Sequence, residues 1–147
     1  MPTGLYIAHA TLAEHHDTWF YAHENIATAP VVTGVPGISN TLWNSTYSSA
    51  SLTEDTSAGW IVARGIEARG AAAVDMTASS DKTGTVGYLS GGVLTPGTSS
   101  PDGEALVLNA EAATTVITVT VGTRNAMATV LGRAGATIAM NLFLPAP

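Results

Sequence analysis

Hydrophobic and polar residues alternate most regularly in the last third of the chain. Residues 114–121 read TTVITVTV, which has the period of two expected of a strand with one buried face. Residues 104–109, 126–131 and 136–144 form further apolar runs, and short glycine-containing segments separate the last three runs. The pattern predicts a meander of antiparallel strands with Val, Ile, Met and Leu on the inner face.

The middle of the chain carries more turn signals than regular runs. Residues 59–70 predict a strand that is interrupted at Gly65, where a bulge would fit. Closely spaced turn signals between residues 79 and 103 leave room only for short strands, such as residues 85–89. Residues 40–51 are polar apart from a leucine and two aromatic residues, and we expect a long loop or a pair of short strands there.

The segment from residue 11 to residue 24 fits two different elements. Thr11 and Glu14 have the S/T-x-x-E spacing of a capping box, which predicts the start of a helix. Larger side chains then share one helical face, namely Leu12, His16, Trp19, Phe20 and His23. The run TWFY at residues 18–21 favours a strand instead, because aromatic residues and threonine suit pleated sheets. The sequence leaves both interpretations open.

Together these patterns predict a mainly β protein with at most one short helix. We expect an antiparallel β-sandwich or barrel, and a jelly roll is one arrangement that fits. Residues 1–26 are interpreted as an N-terminal arm that includes the helix-or-strand segment. Residues 27–147 are interpreted as the β-rich body.

Few residues are charged, and this reduces the number of functions and partners that fit the chain. Of the 147 residues, 11% are charged, with 5 Lys and Arg against 11 Asp and Glu, which gives a formal net charge of -6. Phosphate contacts need clustered Lys and Arg, so we expect no nucleic acid partner. The same shortage argues against a polybasic membrane anchor, and no apolar run approaches the roughly 18 to 20 residues that span a bilayer. A surface with so few charges suggests self-association or a place in a large assembly.

No arrangement of residues predicts catalysis. Cysteine is absent, which excludes disulfides, thiol chemistry and cysteine-based zinc sites. Ser90 lies in GYLSG, which is not the G-x-S-x-G motif of a nucleophile elbow. We therefore predict a protein that is not an enzyme and uses no cofactor.

The histidines form the one cluster of metal-ligand residue types. All four lie between residues 9 and 23, with carboxylates among them. Histidine and carboxylate side chains bind zinc and iron, so His15, His16 and His23 are the candidate ligands. Their spacing matches no known ligand motif, and the adjacent His15 and His16 point to different faces of a helix or a strand. We expect partly exposed polar side chains rather than a metal centre.

Three aromatic residues are candidates for binding sugars. Trp43, Tyr47 and Trp60 would serve a phage fibre or a carbohydrate-binding module if they lay in exposed loops, because aromatic rings stack on the apolar faces of sugars. Trp19, Trp43 and Trp60 could likewise form a sugar-binding platform, but three tryptophans spread over 42 residues more often belong to a core or an interface.

Trp60, Arg64 and Arg69 are candidates for a subunit interface. Guanidinium groups suit buried polar contacts between chains. Pairing of the two arginines within the chain, with Glu67 or a neighbouring acid, explains them equally well.

The chain is weakly charged and rich in Ala, Thr and Gly, begins with TGLYIAH at residues 3–9, and has Thr/Val strands in its last third. In these features it resembles the decoration proteins, also called cement proteins, of tailed-bacteriophage capsids. The resemblance implies a homotrimer that binds the major capsid protein and stabilises the shell by noncovalent clamping. It also implies a terminal arm that adds a strand to the shell, with Thr3, Leu5, Tyr6 and Ile7 as candidate contacts.

The leading hypothesis is therefore a structural virion protein on the capsid surface, made in the host cytoplasm, since no secretory signal is visible. Strand addition supplies main-chain hydrogen bonds without charged side chains, and interface centres are depleted in charge. The sugar-binding module is the alternative, and a small metalloenzyme that uses the histidines ranks third.

Overall fold

The computed structural model describes residues 6–22 and 37–147, and strands dominate both parts. The large sheet contains β1 (Tyr6–Ala10), β3 (Thr18–Ala22), β5 (Gly59–Ile66), β7 (Thr85–Ser90), β8 (Val93–Thr95), β9 (Glu104–Ala110) and β12 (Thr137–Phe143). A smaller sheet contains β6 (Thr77–Ser80), β10 (Thr114–Val121) and β11 (Arg124–Leu131). The short strands β2 (His15–His16) and β4 (Ile38–Ser39) pair with each other, and the helix α1 spans Asn40–Ala50.

The large sheet is mixed, because one strand runs parallel to both of its neighbours. Its strand order is β1-β3-β12-β5-β9-β7-β8. β12 is parallel to β3 and to β5, whereas the remaining pairs are antiparallel. The smaller sheet has the order β11-β10-β6 and is antiparallel throughout.

The two sheets face each other across the main hydrophobic core. Fully buried side chains from both sheets fill it, among them Ile61, Ala63, Ile117, Val119, Ile138 and Met140. Burial of this apolar surface is the main contribution to the stability of the fold. The arrangement confirms the predicted mainly β, sandwich-like fold with one short helix.

The helix α1 covers the other side of the large sheet. Trp43 and Tyr47 of α1 pack on Trp60 of β5 and on Leu106 and Leu108 of β9. Successive side chains of a strand point to opposite faces, so β5 and β9 supply both cores at once. The described part of the molecule thus has three layers, with the large sheet in the middle.

The helix lies where the sequence predicted a loop or short strands, and that prediction was wrong. Ser39 caps its first turn, accepting a hydrogen bond from the Leu42 amide at 3.2 Å, and Ser51 ends it in the left-handed conformation. Several serine and threonine hydroxyls bond back to carbonyls one turn earlier, as Thr46 does to Leu42 at 2.8 Å. Four hydroxyl groups of this segment are therefore satisfied within the helix.

The segment from residue 11 to residue 24 was left open between helix and strand, and in its described part, residues 11–22, the structure has strands. Glu14 has a φ of +61°, which a helix does not allow. A tight turn from Leu12 to His15 leads into β2, and β3 pairs with β1 and β12 on its two sides. Pairing on both edges of the TWFY segment outweighs the capping-box signal.

The predicted meander is correct for one hairpin only. β10 and β11 pair as expected, but β9 and β12 belong to the other sheet. The strand β12, TIAMNLF, is buried on both faces from Thr137 to Met140, and such a strand fits the centre of a sheet that is covered on both sides. The alternation in β10 fits a sheet with one open face.

Two smaller predictions also change. The irregularity in β5 lies between Gly59 and Ile61, not at Gly65, whose missing side chain makes room for the Met76 sulfur. The predicted boundary at residue 26 does not separate two bodies, since β1 and β3 share one sheet with β5 and β12. No helix in the two described ranges is long and apolar enough to cross a bilayer.

Candidate functional site

The outer face of the smaller sheet is the most distinctive surface of the described chain. Its side chains point away from the core, because they alternate with the buried Ile117, Val119, Ala128 and Val130. We call it the threonine face, and it consists of Thr77, Ser79, Thr114, Val116, Thr118, Thr120, Asn125, Met127, Thr129 and Leu131.

The register of the strands brings these residues into continuous rows. Thr118 at the centre lies between Met127 on β11 and Ser79 on β6, and Thr120 lies between Asn125 and Thr77. Residues opposite each other on one face are close enough for their side chains to interact. The rows make one continuous surface rather than separate exposed residues.

None of the ten residues of the threonine face is charged, and the carboxylate at its border, that of Asp81 just after β6, accepts a hydrogen bond from the Val116 amide at 2.7 Å. Met127 is 67% exposed and Leu131 41%, so apolar side chains are open to solvent among the hydroxyl groups. A face of this kind can be covered by another protein without removing charges from water, which is the costly part of forming an interface.

Arg124, the charged residue at the start of β11, is paired within the chain. Its guanidinium donates to both carboxylate oxygens of Glu67 at 2.5 and 2.9 Å and to the Pro145 carbonyl at 3.2 Å. The hydrogen bonds from Arg124 lower the pKa of the Glu67 carboxyl, and the same contact raises the pKa of Arg124. This pair connects the end of β5 to the start of β11.

Trp43, Tyr47 and Trp60, which the sugar-binding alternative would place in exposed loops, lie in the core, the place that the sequence favoured for the tryptophans. Trp43 and Trp60 are stacked with ring centroids 4.3 Å apart, and Tyr47 meets both rings edge-on. Each of the three is at most 4% exposed. Their indole and phenol faces are covered by α1 and the large sheet, so they present no stacking surface to a sugar.

Asn109 at the end of β9 holds this aromatic core to the loop after α1. Its Oδ1 accepts from the Tyr47 hydroxyl at 2.7 Å and from the Asp55 amide at 3.0 Å, and its Nδ2 donates to the Thr53 carbonyl at 2.9 Å. Burial raises the pKa of Tyr47 above its ordinary value. These contacts hold the loop after α1 against the aromatic core.

The histidines are separated by the fold. The His16 ring stacks on Trp43 at 3.7 Å and its Nδ1 donates to the Gly135 carbonyl at 2.9 Å, whereas His15 bonds to the Ala13 carbonyl. His23 lies outside the described residues. Within residues 6–22 and 37–147, no three His, Asp or Glu side chains come together as they would around a metal ion.

His9 belongs to a second aromatic group at the edge of the large sheet. Its ring stacks on Trp19 with centroids 3.9 Å apart, and its Nε2 lies 3.3 Å from the Asp17 carboxylate. The guanidinium of Arg133 lies 4.0 Å from the centre of the same Trp19 ring. This group closes one end of the main core.

The predicted interface residues do not form one surface. Trp60 is a core residue, which corrects its assignment to an exposed interface. The Arg64 Nε lies 3.5 Å from Glu104, a neighbouring acid in the same sheet, and Arg69 is exposed in the turn after β5. The pairing within the chain that the sequence allowed is the one that Arg64 adopts.

Of the predicted arm residues, Thr3 and Leu5 lie outside the described ranges. Tyr6 and Ile7 lie in β1, which pairs with β3 of the same chain. From Tyr6 onward the segment is thus a strand of the chain's own sheet.

The prediction that Met and Leu lie on the inner face was wrong for Met127 and Leu131, and sequence reasoning missed the outer face of β11 as a candidate site. The signal was the TTVITVTV alternation, which fixes which residues of β10 share a face. Comparison with known proteins finds no family model, no curated protein and no solved structure that matches this chain.

Proposed function

We propose that this protein is a structural virion protein that binds the outside of a viral capsid as an oligomer and stabilises the shell by noncovalent contacts. The observation that carries the proposal is the uncharged threonine face. The resemblance to capsid decoration proteins supplies the identity of the partner, the major capsid protein.

The threonine face is suited to a contact that is formed once and kept. It is backed by the main core, so its rows are held in fixed positions by β10 and its two neighbours. Threonine methyl and hydroxyl groups offer apolar contact and hydrogen bonds together, with less side-chain entropy to lose than lysine or glutamate. An oligomer built through such faces also explains the low charge of the whole chain.

A lysine at the centre of the face tests the proposal. In Thr118→Lys the ammonium group must either lose water or hold the partner away, so assembly is lost while the fold remains. Thr85→Lys is the matched control, because Thr85 is an exposed threonine on β7, in the other sheet.

The measurements are absolute mass by light scattering after gel filtration, with and without EDTA, and co-sedimentation with empty tailed-phage heads that lack a decoration protein. We expect the wild type and Thr85→Lys to be oligomers and to sediment with the heads. Both proteins should also raise the melting temperature of the heads. We expect Thr118→Lys to lose shell binding. A wild-type monomer at every loading concentration would contradict the proposal, as would unchanged shell binding by Thr118→Lys.

A further inference from the structure

The edges of the two sheets differ in how well they are suited to pairing with another strand. β1, β6 and β8 are edge strands of five, four and three residues, and β1 carries a histidine. β11 is an edge strand of eight residues, and after Arg124 it contains no charge and no proline. Short, charged or proline-containing edges resist pairing, whereas a long uncharged edge invites it.

The hairpin that starts β11 determines which backbone groups are free. Gly122 has a φ of +58° at the first central position of a two-residue turn, as in a type II′ hairpin. Val121 and Arg124 are then the hydrogen-bonded pair that closes the turn, and bonding to β10 alternates from there. The N–H and C=O groups that point outward, and bond to no other described strand, belong to Asn125, Met127, Thr129 and Leu131.

We propose that β11 pairs antiparallel with β11 of a second copy of this chain, about a twofold axis at Ala128. Met127 then lies opposite Thr129 of the second copy, and the two small sheets become one sheet of six strands. The inference rests on the proposed assembly function and names its first contact. It also joins the two threonine faces into one surface of twice the area.

The second copy fits this edge because the pairing is self-complementary. Centring at Ala128 pairs the whole uncharged stretch from Asn125 to Leu131 with itself. The two Arg124 residues then lie at opposite ends, about 27 Å apart along the strands, which is beyond the screening length of about 8 Å at physiological salt. The paired stretch from Asn125 to Leu131 therefore brings no like charges together, although each chain carries a net charge of -6.

A contact of this symmetry gives a dimer. A twofold interface uses the same surface on both chains and closes after two copies. The trimer that the resemblance implies would need a contact between two different surfaces, so the measured mass separates the two arrangements.

Disulfide crosslinking tests the register. Residues that form a hydrogen-bonded antiparallel pair have Cα atoms about 5.5 Å apart, a separation that a disulfide spans. The double variant Met127→Cys/Thr129→Cys should therefore form a covalent dimer in air, read as intact mass without reductant. The chain has no other cysteine, so the crosslink is unambiguous. Thr83→Cys/Thr85→Cys, two exposed positions just before and at the start of β7 and outside both β11 and the threonine face, is the matched control and should stay monomeric under denaturing conditions.

A second pair of variants separates backbone pairing from side-chain packing. Met127→Pro removes an outward N–H without removing a hydrogen bond to β10, and edge strands tolerate proline. Met127→Ala removes the side chain and keeps the N–H. We expect wild-type mass for Met127→Ala and a monomer for Met127→Pro, both with wild-type far-UV circular dichroism.

The crosslinking result stands even if Met127→Pro fails to fold. A covalent dimer in the cysteine variant supports the β11 pairing. An oligomeric wild type without that crosslink, or with a crosslink to a different protein only, overturns the pairing and leaves the proposed function intact. A wild type that is monomeric at all concentrations overturns the pairing and the oligomeric part of the proposed function together.

Discussion

The two sheets of this protein differ in what covers their outer faces. On the large sheet, Trp60, Leu106 and Leu108 point outward and α1 packs on them. On the small sheet, the corresponding positions of β10 and β11 hold threonines with Met127 and Leu131, and no described element packs there. The covered face is closed by a chain segment that lies next to it in sequence, whereas the open face retains residues that a second protein can cover.

The largest loss of stability is expected from a substitution at Trp60, on the covered face of the large sheet. Trp60→Ala removes the inner half of the Trp43–Trp60 stack and should destabilise the protein by about 3–5 kcal/mol. Urea unfolding followed by circular dichroism measures the free energy of unfolding. Trp60→Phe should recover part of the loss, and a Trp60→Ala protein of wild-type stability would mean that α1 does not pack as described.

Asn109 is expected to have the next largest effect. Asn109→Ala removes three hydrogen bonds and places alanine at a φ of +50°, which together should cost about 2–4 kcal/mol. Asn109→Gly relieves the backbone strain but not the lost bonds, so its unfolding free energy should lie between those of the wild type and Asn109→Ala. Equal values for the two variants would show that the backbone conformation is unimportant.

Because Glu67 and Arg124 form an ion pair, we predict that acid weakens the attachment of the β10–β11 hairpin to the end of β5. Because its pKa is lowered in the folded protein, Glu67 contributes stability above the ordinary pKa of a glutamate, and that contribution is lost as pH falls through the lowered value. Glu67→Gln should therefore be less stable at neutral pH and should show a weaker decline in stability in acid. Unfolding curves at several pH values below 7 measure this, and parallel pH profiles would contradict it.

The smallest effect on folding is expected on the threonine face. Met127→Ala and Thr118→Val should change the free energy of unfolding by less than about 0.5 kcal/mol, because both side chains lie on the open surface of the monomer. The measurement must be made at a concentration where the protein is monomeric. A large loss in dilute protein would mean that the face is covered within the chain.

Secondary structure and burial were predicted best for β10, because the pattern within this one strand was enough to identify it. The alternation in residues 114–121 identified β10, its buried side and its exposed threonines. The sequence also located the turn between β10 and β11, because Gly122 suits the backbone conformation that this turn requires.

It predicted least where local and long-range preferences disagree. Most residues of α1 are Asn, Ser or Thr, which favour turns, yet the spacing of Trp43, Tyr47 and Ala50 gives one apolar helical face. That spacing and the Ser39 cap were the available signals. The neighbours of β12 could not be inferred, because an apolar strand fits several central positions equally well.

The position of β12 has a consequence for the order in which the chain is made. β3 and β5 are both synthesised long before β12, but in the large sheet they are neighbours of β12 and not of each other. The hairpin of β1 and β3 therefore has no place in the sheet until residues 137–143 have left the ribosome. Until then the edge of β5 that receives β12 is open, so a nascent chain is most exposed to aggregation and to chaperones just before β12 arrives.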